Sequence, residues 1–177
     1  MTEFERLSSR VLFEGRIASV VDERYRYSDG RTSAREVVVH PGAVAILAHD
    51  AETIHLVRQP REAVGEPSLL ELPAGKLDVA GESPVQAARR ELQEEVGLQA
   101  ESWTLFRRIY PSPGFAREVV HVFRATEVSP VAYEPDPEER IEVIRWPLAD
   151  LDGAIASCSD AKSLIGLLLL RDELRPS

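Results

Sequence analysis

The chain has 177 residues, 44% of them hydrophobic and 29% charged, the size and make-up of one ordinary globular domain with a core of its own. Its net charge of −9, with no basic patch to offset it, excludes nucleic acid as a partner and admits an anionic substrate only where metal ions neutralise both sides. One cysteine (Cys158), a charged N-terminus and no apolar run near the ~18 residues of a membrane span point to a cytoplasmic protein without disulfide, signal peptide or membrane partner.

In chain order, rough alternation from Val11 to Tyr27 predicts an N-terminal strand or hairpin, and Ser28-Asp29-Gly30 a turn. Residues 35–48 are rich in Val, Ile and Ala but broken by His40-Pro41-Gly42, which predicts two strands or one bent strand. Short strands follow at 53–58 and 69–72. The clearest helix is 83–96. Ser83 stands at the N-cap, Pro84 at the first helical position, Gln86 where a capping box needs it, and Gly97 at the stop. Val85, Ala88, Leu92 and Val96 form its core-facing stripe. Strands are predicted at 103–110, 118–128 and 142–146, and helices at 147–156 and 160–174. Too few helices separate the strands for a doubly wound parallel sheet. The expected class is α/β (α+β), a mixed sheet sandwiched between helices. No linker divides the chain, so 1–177 reads as one domain with 1–40 as an N-terminal strand region.

The helix carries Arg90, Glu91, Glu94 and Glu95. Glu91 and Glu95 lie about 40° apart around its axis with Glu94 beside them, and all three are expected to avoid the apolar stripe. Like charges at that spacing destabilise a helix by roughly 0.2–0.5 kcal/mol per pair, which Arg90 offsets in part by pairing with Glu94. The pattern alone also describes a solvated surface helix of mixed charge. What favours a site is the preceding segment, Leu72-Pro73-Ala74-Gly75, a strand end and glycine turn that can project backbone carbonyls beside the carboxylates. Carboxylates, a carbonyl and waters make the all-oxygen set preferred by Mg²⁺ and Mn²⁺.

Residues 75–98 resemble the signature of the Nudix hydrolases, G-x5-E-x7-R-E-U-x-E-E-x-G-U, with U a bulky aliphatic. From Glu82 through Leu98 the fit has no exception; six residues instead of five separate Gly75 from Glu82. The resemblance implies a Nudix fold and hydrolysis of a nucleoside diphosphate linked to another group, with Mg²⁺ or Mn²⁺. It implies Glu91 and Glu95 as central metal ligands, Glu94 as a further or bridging ligand and catalytic group, and the Ala74 carbonyl completing the set. Arg90 is then the residue that orients Glu91, and Glu82 supports the loop or an outer water.

The flanks are similar to the ADP-ribose pyrophosphatase branch, in residues 36–45 (EVVVHPGAVA), 56–61 (LVRQPR) and 70–75 (LELPAG). This implies cleavage of ADP-ribose to AMP and ribose 5-phosphate. Another nucleotide sugar such as GDP-mannose, or a non-catalytic nucleotide-sensing domain, stands as the alternative. Pro113, fifteen residues beyond Leu98, is associated with ADP-ribose hydrolysis in the branch, although a proline there also suits a plain turn. The acidic loop 134–140 (EPDPEER) has the composition and place of the branch's catalytic carboxylate, with Glu139 first choice and Glu138 second; such a loop is also often simply solvated. Arg35 and Glu36 match the adenine-side pair, or form a strand-surface ion pair. Arg58 and Arg61 are implied to meet phosphate or terminal ribose, and Glu71 to support the pocket. Phe115 stacks or fills core. The branch forms homodimers that exchange N-terminal strands, so residues 1–40 are expected to serve dimerisation.

Overall fold

Alternation and turn chemistry build the strands in order. The structure, a computed structural model, describes residues 3–132 and 140–175. β1 (Phe4–Glu14) turns at Gly15 into β2 (Ser19–Tyr27), which passes through the turn at residues 28–30 into β3 (Thr32–Val39). After His40-Pro41-Gly42 come β4 (Ala43–His49) and β5 (Thr53–Arg61), joined by a turn in which Asp50 Oδ1 accepts from Glu52 N and Thr53 N at 2.8 and 2.7 Å. A 3₁₀ turn at Glu62–Val64 leads to β6 (Glu66–Glu71) and β7 (Ala74–Lys76), then α1 (Pro84–Val96) and β8 (Leu98–Ile109). β9 (Ala116–Arg117), β10 (Val120–Pro130), β11 (Glu142–Pro147), α2 (Leu151–Ser157) and α3 (Ala161–Leu174) complete the chain.

The differences from expectation are local. The first strand starts at Phe4, seven residues before the apolar alternation does, because β1 is exposed along its whole length and nothing buried marks it. β8 begins directly after Gly97, and the helix expected from Pro147 is a 3₁₀ turn followed by α2. Ala74-Gly75 is a strand, paired with Ala45 and Val44 of β4, where a turn was expected.

The chain forms two compact units, Met1–Gly42 with Tyr110–Val119, and Ala43–Ile109 with Val120–Ser177. The N-terminal unit holds a sheet in the order β1-β2-β3-β9, antiparallel except for the parallel β3–β9 pair. The larger unit holds a seven-stranded mixed sheet in the order β11-β5-β4-β10-β8, with β6 on β5 and β7 on β4. Among the described residues its one parallel pairing is β4–β10.

β4 is buried on both faces and reads as a continuous apolar run for that reason. Val44, Ile46 and Ala48 pack with Ala88, Leu92 and Val96 of α1, whereas Ala45 and Leu47 pack with Leu151, Leu167 and Leu170 of α2 and α3. The mixed sheet therefore lies between helices, as the sequence predicts. Leu92 is fully buried; full burial of such a side chain contributes about 1.5–3 kcal/mol, enough to pin α1 to the sheet. Among the described residues no helix is long and apolar enough to cross a membrane.

Candidate active site

Local sequence holds α1 at both ends. Gln86 Oε1 accepts from Ser83 N (2.9 Å) and Ser83 Oγ (2.7 Å), Pro84 occupies the first turn, and Gly97 closes the helix at φ +69°.

On this fixed helix, one guanidinium faces three carboxylates. Arg90 donates from Nε and Nη2 to the two oxygens of Glu82, both at 3.1 Å, and from Nη1 to Glu91 Oε1 and Glu94 Oε2, both at 2.8 Å. The bonds to Glu82 lead in raising the Arg90 pKa above its ordinary value, so it stays a cation at any working pH. The sequence expectation that all three helical glutamates avoid the core face needs one correction. Glu94 is 53% exposed, but Glu95 is buried at 7%, because its Oε2 accepts the Ala74 N–H at 2.9 Å and draws the side chain onto β7.

Gly75 makes the close approach possible. A Cβ built there would stand 1.9 Å from Glu91 Cδ and Oε1, so any side chain would displace that carboxylate. The extra residue before Glu82 is taken up by a turn in which Glu82 N donates to Val79 O (3.2 Å) and Gly81 adopts φ +82°. Glu82 still reaches Arg90.

Among the described residues no three acidic, histidine or cysteine side chains stand together as a ready-made metal cluster; Glu82, Glu91 and Glu94 are turned onto Arg90 instead. The donor set nonetheless fits a hard divalent ion. It is all oxygen, it carries more negative charge than Arg90 balances, and the missing side chain at Gly75 leaves the space in which Glu91 sits. Glu138 and Glu139 lie outside the described residues.

The structure brings Arg61 and Glu71 together and leaves Arg58 apart. Glu71, 3% exposed, accepts at Oε2 from Arg61 Nε (3.0 Å), Arg61 Nη2 (2.6 Å) and Gln59 Nε2 (3.2 Å), and at Oε1 from Lys162 Nζ (3.2 Å). Lys162 also donates to Asp160 Oδ2 at 2.9 Å. Burial works against the charge on Arg61, but the bonds to Glu71 outweigh it and raise its pKa, with Glu95 among the attracting carboxylates. Arg58 Nη1 instead donates to the Ser68 carbonyl at 3.3 Å. Gln59, Asp160 and Lys162 escaped the sequence reading; Lys162 is 91 residues from Glu71, and no local pattern links them.

Within the N-terminal unit an aromatic pocket of about 480 Å³ is lined by Phe4, Tyr25, Tyr27, Arg35, Pro113 and Phe115, among others. Phe4 meets Tyr25 edge-on, with centroids 5.5 Å apart. Arg35 donates to the Tyr27 hydroxyl oxygen at 3.3 Å. Strand pleating separates the expected pair: Arg35 and Val37 line the pocket, while the intervening Glu36 is exposed and is not part of the lining. Tyr25 and Tyr27, two apart on one strand face, were the overlooked signal. Glu23 is fully buried and accepts from Arg6 Nη1 (2.7 Å), Arg117 Nη2 (2.5 Å) and the Tyr25 hydroxyl. Burial opposes its ionisation, but the bonds from Arg117, Tyr25 and Arg6 prevail and hold its pKa at about 2.

Comparison with known proteins agrees with this architecture. The NUDIX domain family matches residues 39–161. The chain is 41% identical to an ADP-ribose pyrophosphatase of Bacillus subtilis (strain 168), over 84% of this chain and 80% of that protein. It is 44% identical to an ADP-ribose pyrophosphatase of Mycobacterium tuberculosis (strain ATCC 25618 / H37Rv), over 84% and 72% respectively. A crystal structure of an ADP compounds hydrolase superposes with a TM-score of 0.83 at 26% identity, covering 97% of this chain and 94% of that one. Likeness of that depth, across most of the chain, makes this protein a member of the Nudix hydrolase family.

Proposed function

We propose that the protein hydrolyses the pyrophosphate bond of ADP-ribose, giving AMP and ribose 5-phosphate, with a divalent metal ion held on α1. The carrying observation is the gathering of Glu82, Glu91 and Glu94 around the Arg90 guanidinium at 2.8–3.1 Å. The names of the 41% and 44% identical relatives support ADP-ribose as the substrate.

In this reading Glu91, Glu94, Glu95 and the Ala74 carbonyl hold the ion, Mg²⁺ by preference with Mn²⁺ as a substitute. The ion supplies charge neutralisation at the phosphates and a favourable setting for the attacking water. Water adds to one phosphorus, the bond to the bridging oxygen breaks, and the water's proton passes to a carboxylate of the chain. Glu139 is our first choice for that acceptor and Glu138 the second. Arg90 fixes the rotamer of Glu91, so that the carboxylate is set before substrate arrives. Arg61, held by Glu71, faces the anionic phosphates, for which a guanidinium is suited, and Arg58 is assigned more loosely to phosphate or terminal ribose. Arg35 and Pro113 bind the adenine, which the pocket tyrosines can stack against, and Glu36 acts from the exposed side of the same strand.

We assign the chain a homodimer built through residues 1–40. Phe4, Val11, Phe13 and Ile17 are exposed there, an apolar set that a second copy would cover, and light scattering checks it. The single cysteine agrees with a cytoplasmic location. The test of function is a panel of ADP-ribose and GDP-mannose, each with Mg²⁺ and Mn²⁺, read as kcat/KM. ADP-ribose should lead by at least an order of magnitude; a lead for GDP-mannose would reassign the substrate, and binding without turnover would make the protein a sensor.

A further inference from the structure

The chain of charges around Glu71 extends beyond the residues that the function requires. It alternates in sign through Arg61, Glu71, Lys162 and Asp160, with contacts of 2.6, 3.2 and 2.9 Å. Its far end is anchored in the start of α3, where Asp160 Oδ2 accepts from Ser163 N at 3.0 Å and from Ser163 Oγ at 2.5 Å. Ser163 Oγ in turn accepts the Leu72 N–H at 2.8 Å. The first turn of α3 thus grips the two residues, Glu71 and Leu72, that lead directly to Ala74.

Resting on the function proposed above, we infer that Lys162 is a positioning residue for the pyrophosphate of the substrate, acting through Glu71 on Arg61. Three donors hold Oε2 of Glu71, and Lys162 holds Oε1, so the carboxylate is fixed at both oxygens and the Arg61 fork is fixed with it. Charge carries the rest. With Lys162 present, the buried Glu71 has two cations, and Arg61 retains attraction for an anionic phosphate. Without it, the buried Glu71 and the partly buried Asp160 are left with Arg61 as the remaining cation beside Glu71. The guanidinium then serves as counter-ion to the buried Glu71, and its hold on phosphate weakens. Lys162 itself is bound to two carboxylates and is only 17% exposed, which suits a support and not a group that meets substrate.

The test compares wild type, K162M, K162R, R61A and the R61A/K162M double variant. K162M should raise KM about tenfold with kcat within about twofold, and weaken binding of a non-hydrolysable methylene analogue of ADP-ribose by a similar factor. K162R should recover most of the loss. In the R61A background, K162M should cost less than about twofold more, because the two residues act through one contact. An unchanged KM in K162M, a loss confined to the thermal midpoint, no recovery in K162R, or fully additive losses would each overturn the role. Should K162M fail to fold, K162Q is read by the same criteria. The measurements use whichever nucleoside diphosphate sugar the wild type turns over. Failure on ADP-ribose alone therefore strikes the substrate assignment, while equal KM values for wild type and K162M strike the positioning role; turnover of no such sugar overturns both.

Discussion

Two ion clusters in the larger unit are built from the same kinds of group in different balance. Three carboxylates, Glu82, Glu91 and Glu94, stand around Arg90 of α1; at the end of β6 the Glu71 carboxylate holds Arg61 and Lys162, and Lys162 also holds Asp160. The first sets three carboxylates against one guanidinium, whereas the second pairs two cations with two carboxylates. A chain of net charge −9 can bind a polyanion because local sign, at contact distances and partly out of water, outweighs a net charge that salt screens. The carboxylates of the first suit a metal ion, and the Arg61 fork of the second, held in place by Glu71, suits the phosphates that the ion must meet.

The comparison can be broken most severely on the anionic side. E95Q removes charge at a buried position with little change in volume, and should lower kcat roughly 10³-fold, about 4 kcal/mol of barrier, with the fold retained. AMP release under saturating ADP-ribose measures it, and a variant keeping a tenth of the wild-type rate would break the assignment. G75A keeps every charge and moves one. Its Cβ would overlap Glu91, and a displacement of that size should cost about 10²-fold in kcat. A near-normal rate for G75A would mean that Glu91 need not sit where Arg90 holds it.

Smaller effects test what lies outside the two clusters. Y25A opens the aromatic pocket and should raise KM for ADP-ribose about tenfold, the loss expected from one stacking partner, while kcat changes little. The smallest effect is on acid stability. The Glu23 carboxyl has a pKa of about 2 when folded, against an ordinary value of 4.5. Its stabilising contribution is complete above pH 4.5 and is lost as pH falls from there toward 2. Thermal midpoints of wild type and E23Q should therefore differ most near neutral pH and converge through that window. A constant gap would remove Glu23 as the source.

Features that depend on near neighbours in sequence were the ones legible there. The capping box, the Gly97 stop and the spacing of Arg90, Glu91 and Glu94 all lie within one helix, and periodicity exposes them. Burial of Glu95 was not legible, because the group responsible is a backbone N–H 21 residues earlier on β7. The same holds for Lys162 and Asp160, which meet Glu71 only after α3 packs on the sheet. β1 was read short because a wholly exposed strand has no buried face to alternate against. The Arg35–Glu36 pair looked like one functional unit, but adjacent strand residues point to opposite faces, and only Arg35 lines the pocket.

The most direct measurement is the time course of products from ADP-ribose with purified protein, first stripped of metal with a chelator and then given Mg²⁺. The account predicts AMP and ribose 5-phosphate in equal amounts, release abolished by stripping and restored by Mg²⁺ in wild type but not in E95Q. Equal turnover with and without a divalent ion, or restoration of E95Q to the wild-type rate, would contradict it.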